Sequence, residues 1–436
     1  MRKTDLQRFL AVCLIPMLIV SMFAVTPKAS AQTDLGLTVD AAILIDAETG
    51  KILYEQNADA SLGIASMTKM MTEYILLDAI AAGKVTWDQQ YRVTEYTYKV
   101  SQDRLLSNVP LRADGTYSVK ELYEAMVIYS ANAATIAIAE VIAGTETEFI
   151  KLMNKKAEEI GLKDYRFVNS SGLNNENLYG MHPSGTGPTD ENIMPASSVA
   201  KLAYHLLKEH PEVLDTAKIA KKTFREGTED AIEMSNWNFM LPGLVYEYEG
   251  VDGLKTGTTD YAGHSFTGTA KRGDKRLIAV VMKAVDSKGE GSYKARFDAT
   301  AKLFDYGFAQ FEMVEVVPAN YVFEDNKTLP VTKGKEDSVK IGTTEAISFM
   351  MKASDKETYK PTLVLDKEQL EADVKKGTVV GKLVLEREGA EDYGYIDGKP
   401  IEVDVVTLEG VERKGGVALF FGSIGGFIGD LWNKVF

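Results

Sequence analysis

The chain has 436 residues, 45% of them apolar, which is enough for two or three domains with packed cores. It carries 63 acidic and 49 basic residues, and this formal net charge of −14 argues against nucleic acid as a partner. Its four histidines show no His-x-x-x-His or His-Glu pairing of the kind that zinc hydrolases use, so we expect neither a metal nor another cofactor.

Residues 1–31 have the pattern of a secretory signal peptide. Basic residues at positions 2, 3 and 8 precede an apolar run from 9 to 25, and Ala29-Ser30-Ala31 follows as a small-x-small cleavage site. We predict cleavage after Ala31; an uncleaved N-terminal anchor is the alternative. Cleavage would remove Cys13, the one cysteine of the chain, so the mature protein would enter an oxidising space without disulfides.

The first mature segment predicts a hairpin followed by a helix with a reactive pair. Apolar runs at 39–45 and 51–55 predict antiparallel strands, and Ser66-Met67-Thr68-Lys69 opens a helix that runs to about Ala82. Residues three apart share a helix face, so the Ser66 hydroxyl and the Lys69 amine can point at the same spot. A desolvated amine, or one near other cations, can be neutral and accept a proton, which makes Ser66 a candidate nucleophile.

A second Ser-x-x-Lys, Ser198-Val199-Ala200-Lys201, lies in a helix predicted at 195–207, and we interpret it as solvated helix surface. Between these two copies, Ser130-Ala131-Asn132 separates two predicted helices. Serine and asparagine compete for backbone hydrogen bonds inside helices, so we expect a short connector that exposes both side chains. An ordinary helix-helix turn is the alternative.

Lys255-Thr256-Gly257-Thr258 precedes two alternating runs, 263–270 and 276–284, that predict paired strands. Glycine within a strand is expected where a ligand or another backbone comes close, so we place Lys255 to Thr258 on a sheet edge at a cleft. A helix at 295–311 closes this part of the chain.

The remaining sequence has a different texture. Residues 313–412 consist of short valine-rich runs broken by charged turns, which predicts a small β-rich domain. Residues 415–436 predict an amphipathic helix with one wide apolar face, which is typical of a helix that lies in a membrane interface. A terminal helix that docks on its own protein is the alternative.

Ser66-x-x-Lys69, Ser130-x-Asn132 and Lys255-Thr256-Gly257, in this order, resemble the motif set of the low-molecular-weight penicillin-binding proteins that act as D-alanyl-D-alanine carboxypeptidases. The resemblance covers nearly the whole chain: the signal peptide 1–31, a catalytic domain 32–312, the β-rich domain 313–412 and the anchor 415–436. It implies an α/β (α+β) fold, a serine β-lactamase-like transpeptidase domain in which helices flank an antiparallel sheet.

The resemblance also implies roles for individual residues. Ser66 matches the nucleophile, Lys69 its general base, and Ser130 the hydroxyl that relays a proton to the leaving amine. The implied substrate-binding residues are Asn132, Lys255, Thr256, Gly257, Thr258 and Arg296. For Arg296, which matches a carboxylate-recognising arginine, a surface helix charge is the alternative.

The implied reaction is removal of the terminal D-alanine from peptidoglycan pentapeptide stems through an acyl-enzyme at Ser66, which limits cross-linking. β-Lactam antibiotics would acylate the same serine, and the protein would act on the extracytoplasmic face of the cell membrane. The alternatives are a β-lactamase-type hydrolase and a non-enzymatic β-lactam sensor or cell-wall scaffold; a metal-dependent carboxypeptidase lacks ligands.

Overall fold

The computed structural model describes residues 33–387 and 393–415. The predicted signal peptide and the predicted tail helix, apart from Gly415, lie outside the described residues. Within the described ranges, no helix combines the length and the apolar character that crossing a membrane requires.

A five-stranded antiparallel sheet organises the first part of the chain. The strands of this part are β1 (Ala41–Asp46), β2 (Ile52–Gln56), β3 (Ser61–Gly63), β4 (Gln90–Arg92), β5 (Thr116–Ser118), β6 (Ile193–Pro195), β7 (Lys221–Phe224), β8 (Ile232–Ser235), β9 (Val251–Thr259), β10 (Gly263–Arg272) and β11 (Lys275–Met282). The order in the main sheet is β2-β1-β11-β10-β9, so β9 is an edge strand. The predicted N-terminal hairpin and the edge position of Lys255 are confirmed.

Helices cover both faces of this sheet. They are α1 (Lys69–Ala81), α2 (Glu95–Ser101), α3 (Val119–Ile128), α4 (Asn132–Ala143), α5 (Glu146–Glu159), α6 (Ala196–Glu209), α7 (Val213–Ala217) and α8 (Tyr293–Gln310). Alternate residues of β1 point to opposite faces, so Ile43 joins a core with Tyr74 of α1, whereas Leu44 joins a core with Phe304 of α8. The sheet is therefore buried on both faces, which holds its edge strand in a fixed position.

The second part of the chain is rich in β-strands, as predicted. Its strands are β12 (Glu312–Val317), β13 (Thr328–Thr332), β14 (Ser338–Thr343), β15 (Ile347–Met351), β16 (Tyr359–Leu365), β17 (Leu370–Glu371), β18 (Val379–Arg387) and β19 (Glu402–Thr407). Six of them form one sheet in the order β16-β18-β19-β14-β13-β17, and β12 pairs with β15. Alternating residues such as Val339 and Ile341 enter a separate apolar core.

Candidate active site

Ser66 lies in a 3-10 turn, Ala65–Thr68, that leads directly into α1. The preceding residue, Ala65, has φ +45°, a left-handed value that is rare outside glycine. Such backbone costs about 1–3 kcal/mol and persists only where the surrounding structure holds it. The turn leaves the Ser66 side chain half-buried and in the lining of a cleft.

Lys69, three residues after Ser66, is buried and held by three oxygen atoms. Its Nζ lies 2.9 Å from Ser66 Oγ, 2.7 Å from Asn132 Oδ1 and 2.7 Å from the Ser171 carbonyl oxygen. Burial, followed by the positive charge of Lys255, holds the pKa of Lys69 well below its usual range. A neutral amine that donates its two N–H groups to Asn132 and Ser171 keeps its lone pair for the Ser66 hydroxyl.

The connector Ser130-Ala131-Asn132 joins α3 to α4 beside Lys69. Ser130 has φ +60°, so a second non-glycine residue of this site is left-handed. The predicted connector is confirmed, but its predicted exposure is wrong, because Ser130 and Asn132 are only 4% and 2% exposed. The Asn132 backbone N–H and Nδ2 both donate to the Ser107 carbonyl, at 2.9 and 3.0 Å, and this packing encloses the connector.

The edge strand β9 passes directly against the Ser66 turn. A Cβ atom at Gly257 would lie 2.6 Å from the Ile64 carbonyl oxygen, so glycine is needed for this approach. Burial, followed by the charge of Arg296, lowers the pKa of Lys255 to about 7, while the Glu73 carboxylate acts in the opposite direction. Thr256 is buried next to Lys255, and Thr258 is exposed further along the strand.

Arg296 on α8 is fully buried, so the alternative of a surface helix charge is wrong. Its Nη1 donates to Thr258 Oγ1 at 2.9 Å and to the Gly257 carbonyl at 3.3 Å. Its Nε and Nη2 have no hydrogen-bond partner among residues 33–387 and 393–415. Burial lowers the pKa of Arg296 to about 10, which leaves it charged at neutral pH. Unused donors on a buried cation suit an incoming carboxylate.

These groups surround one cavity of about 390 Å³. Ser66, Ser130, Asn132, Thr256, Thr258 and Arg296 line it, and Lys69 and Gly257 contact members of that lining. Lys255 lies next to Thr256 on β9. The structure therefore brings the predicted site residues together. No group of three or more potential metal ligands occurs in the part of the chain that the structure describes.

The interpretation of the second Ser-x-x-Lys motif as solvated helix surface is wrong. Ser198 is 4% exposed, and its Oγ donates to the Lys163 carbonyl at 2.8 Å and accepts from the Lys163 backbone N–H at 3.0 Å. Lys201 Nζ lies 3.3 Å from Asp397. Both groups hold the fold together, and the hydroxyl is occupied by backbone partners.

Sequence reasoning missed several residues of the site. Further residues in the lining are Arg104, Leu105, Leu106, Ser107, Tyr129, Leu173, Trp237 and Tyr293. Glu73 is also buried, and its Oε1 accepts a hydrogen bond of 2.8 Å from the Tyr123 hydroxyl. Its position four residues after Lys69, on the same helix face, was a signal that could have identified it.

Two family models match this chain. The model described as D-alanyl-D-alanine carboxypeptidase matches residues 27–286. The model described as the C-terminal domain of penicillin-binding protein 5 matches residues 311–413. Together they cover the Ser66, Ser130 and Lys255 segments of the cleft and the β-rich second part, while Arg296 lies between the two matched ranges.

Characterised relatives and solved structures agree with these matches. D-alanyl-D-alanine carboxypeptidase DacF of Bacillus subtilis is 31% identical over 390 residues, 88% of this chain and 91% of that protein. The structure of PBP3 from Streptococcus pneumoniae, a peptidoglycan synthesis regulatory factor, has a TM-score of 0.76 and 35% identity, and covers 86% of this chain and 100% of its own. Penicillin-binding protein D2 of Listeria monocytogenes in its ampicillin-bound form has a TM-score of 0.52 and 33% identity, and covers 63% of this chain and 100% of its own.

Proposed function

The chain belongs to the D-alanyl-D-alanine carboxypeptidase family of serine peptidases, and we propose that it cleaves the terminal D-alanine from peptidoglycan stem peptides through an acyl-enzyme at Ser66. The observation that carries this proposal is the 2.9 Å contact between Ser66 Oγ and the buried Nζ of Lys69. A nucleophilic hydroxyl next to a base of lowered pKa, with the base oriented by further groups, is the arrangement that serine acyl transfer requires.

In the proposed reaction, neutral Lys69 takes the Ser66 proton while Oγ attacks the carbonyl carbon of the penultimate D-alanine. The backbone N–H groups of Ser66 and Thr258 stabilise the oxyanion, and losing one such donor typically costs about 3–4 kcal/mol of transition-state stabilisation. Ser130 passes a proton to the departing amine, the C–N bond breaks, and free D-alanine leaves. Water then attacks the ester and releases the shortened peptide and Ser66.

The proposed substrate pose follows from the charges in the cleft. The Arg296 guanidinium lines the cleft and its Nη1 contacts Thr258 Oγ1, so the terminal carboxylate binds next to Thr258. Asn132 holds the substrate amide. Lys255, buried next to Thr256 on β9, supplies positive charge to this side of the cleft in its protonated form; its pKa is lowered to about 7.

Penicillin labelling with intact-mass analysis tests the nucleophile. β-Lactams are expected to acylate Ser66, in line with the ampicillin-bound relative. We expect one adduct per chain on the peptide that contains Ser66, and none on Ser66→Ala. Ser198→Ala is a matched control, since it alters the other Ser-x-x-Lys and should keep the adduct. An adduct on another peptide would refute the assignment.

Release of D-alanine from a synthetic pentapeptide tests the reaction itself. We expect Ser66→Ala to lose at least about a thousandfold in rate while it stays folded. Slow loss of the penicillin adduct would support a carboxypeptidase, and rapid turnover would support a β-lactamase. A folded wild-type chain that binds penicillin but releases no D-alanine would support the alternative of a non-enzymatic β-lactam sensor.

We further propose that the enzyme works on the extracytoplasmic face of the membrane and limits cross-linking by trimming pentapeptides. Similarity to cell-wall carboxypeptidases supports this location. The predicted signal peptide and interfacial tail would provide export and attachment. Fractionation of cells that express the full chain or a chain ending at residue 415 tests the attachment, and we expect only the full chain to sediment with membranes.

A further inference from the structure

We propose that Arg104 makes the cleft selective for stem peptides that carry a second carboxylate upstream of the scissile bond. This inference rests on the proposed function. Arg104 begins the segment 104–107, which lines the catalytic cavity together with Ser66 and Arg296.

The charges that line the cavity are unusual for this protein. The chain has 63 acidic and 49 basic residues, yet the described lining contains two arginines and no aspartate or glutamate. A cleft lined by one sign of charge raises the local concentration of an oppositely charged ligand. One arginine, Arg296, accounts for the terminal carboxylate of the substrate. The other lies on a different element and remains for a second anionic group.

The segment that carries Arg104 is fixed to the catalytic machinery. Asp103 accepts hydrogen bonds from the Leu105 backbone N–H and from the Tyr179 hydroxyl, both at 2.8 Å, so both of its carboxylate oxygens are engaged. The Ser107 carbonyl accepts two hydrogen bonds from Asn132. Asn132, the residue proposed to hold the substrate amide, therefore also fixes the backbone of the segment that carries Arg104.

Arg104 itself is exposed, and in the described ranges its guanidinium makes neither an ion pair nor a hydrogen bond. Arg276 of the same part, by contrast, binds both carboxylate oxygens of Asp252 at 2.7 and 2.8 Å. An unpaired, planar guanidinium beside the substrate cleft is suited to bidentate binding of a carboxylate.

A stem peptide can supply that carboxylate from two places. The third residue carries one if it is a diaminopimelate and lacks one if it is lysine. The second residue carries one if its glutamate is free and lacks one if it is amidated. The chemistry that Arg104 would recognise is the same in both cases, so the experiment must separate them.

The test uses four synthetic pentapeptides, with diaminopimelate or lysine as third residue and free or amidated glutamate as second residue. We expect the wild type to prefer the carboxylated member of one pair by about five- to tenfold in kcat/KM, mostly through KM, as an exposed charge pair allows. In Arg104→Gln this ratio should fall to near one, and Arg104→Lys should restore part of it.

Arg112→Gln is the matched control, because Arg112 is an exposed arginine of the same loop region that lies near Asp114, outside the cavity lining. Ratios that stay the same in Arg104→Gln, or that fall equally in Arg112→Gln, would overturn the inference while leaving the proposed function intact. If the wild type released no D-alanine from any of the four peptides, the proposed function would fail, and the inference with it.

Discussion

Lys69 is a basic group in an environment that disfavours its charge. It is 1% exposed, and its nearest partners are an amide oxygen, a carbonyl oxygen and a hydroxyl, none of which carries a negative charge. Its pKa is lowered first by burial and second by the Lys255 cation. The protonation state of the proposed base therefore depends on a residue 186 positions away, on the edge strand β9.

Replacing Lys255 by glutamine should change the pH dependence of acylation. Acylation needs neutral Lys69, so its rate rises with pH through the pKa of Lys69. Without the Lys255 cation the pKa of Lys69 rises, and the acidic limb should move to higher pH. The measurement is the second-order rate of penicillin acylation between pH 4 and 10.

Lys271→Gln, an exposed change on the same sheet, should leave the limb in place. The overall rate of Lys255→Gln should also fall, but a lower rate alone would not support the prediction. If the acidic limb of Lys255→Gln did not move, or moved to lower pH, the prediction would be contradicted.

Glu73 should make stability depend on pH. Burial raises the pKa of Glu73 from 4.5 to about 7. Between these two values the folded chain binds more protons than the unfolded chain, so this group lowers the free energy of unfolding as pH rises. Glu73→Gln removes the effect and keeps an acceptor for Tyr123. Its stability relative to wild type should therefore increase from pH 5 to pH 8, by on the order of 2–3 kcal/mol.

Urea unfolding at the two pH values measures this difference. Glu158→Gln is the control, because it removes the charge of an exposed glutamate on α5 and leaves the buried groups unchanged. Equal pH dependence of wild type and Glu73→Gln would show that Glu73 does not carry the raised pKa in the folded protein.

At the scale of elements, local sequence patterns predicted the parts of the site but not how they pack. Ser118-x-x-Glu121 is a capping-box pattern, and both of its hydrogen bonds form at the start of α3. Helical spacing correctly paired Ser66 with Lys69, although Ser66 lies in the 3-10 turn before α1. The third partner of Lys69, the Ser171 carbonyl, lies 102 residues further along the chain, and no local pattern reports such a contact.

The loop that supplies this carbonyl is built around one asparagine. Asn169 Oδ1 accepts from the Gly172 backbone N–H at 2.7 Å, and its Nδ2 donates to the Leu173 carbonyl at 2.7 Å. Asn169 and Ser171 are fully buried. The run of Asn, Ser and Gly residues at 169–177 indicates a loop but not its partners, because its hydrogen bonds are made within a fold that must already exist.

Gly172→Ala should slow acylation, because it changes the contact between this loop and the Ser66 turn. Gly172 has φ +81°, and a Cβ atom there would collide with the Ala65 carbonyl oxygen, immediately before Ser66. The loop or the Ser66 turn must then shift, and a displacement of about 1 Å can cost about a hundredfold in rate. We expect a loss of that size in penicillin acylation.

Gly83→Ala is the matched control, since Gly83 has φ +67° but no heavy atom lies within 4 Å of its added Cβ. It carries the same backbone strain without the collision. It should lose about 1 kcal/mol of stability and keep its acylation rate. Wild-type acylation by folded Gly172→Ala would show that the contact does not position Ser66.

At the scale of the whole molecule, the second part of the chain returns to the catalytic part through residues 393–398. The Gly394 carbonyl accepts from the Ile52 backbone N–H at 3.0 Å, and the Ile396 backbone N–H donates to the Gly50 carbonyl at 2.8 Å. Asp397 lies 2.9 Å from His205 Nε2 and 3.3 Å from Lys201 Nζ. The change to short valine-rich runs after residue 312 predicted two domains. No pattern in the sequence indicated this contact, because it joins short segments more than 190 residues apart.

Asp397→Asn should weaken the coupling between the two parts. Burial alone would raise the pKa of Asp397, but His205 and Lys201 hold it below its ordinary value. The carboxylate therefore stabilises the contact above pH 4, and this contribution is lost as pH falls through its lowered pKa. The substitution removes the charge but nearly keeps the shape, so a loss of about 1 kcal/mol should lower the transition that breaks this contact by about 2–4 °C.

Differential scanning calorimetry at pH 7 measures the change, with Asp404→Asn as control, since Asp404 is an exposed aspartate on β19 outside the contact. We expect the heat absorption of Asp397→Asn to broaden or split, because the β-rich part has a core of its own and the contact of 393–398 is one of its links to the catalytic part, along with the packing of Met350. As pH falls through the lowered pKa of Asp397, the wild-type carboxylate becomes protonated, and the difference between wild type and Asp397→Asn should shrink. A profile that superimposes on wild type at pH 7 would mean that the two parts unfold independently of this ion pair.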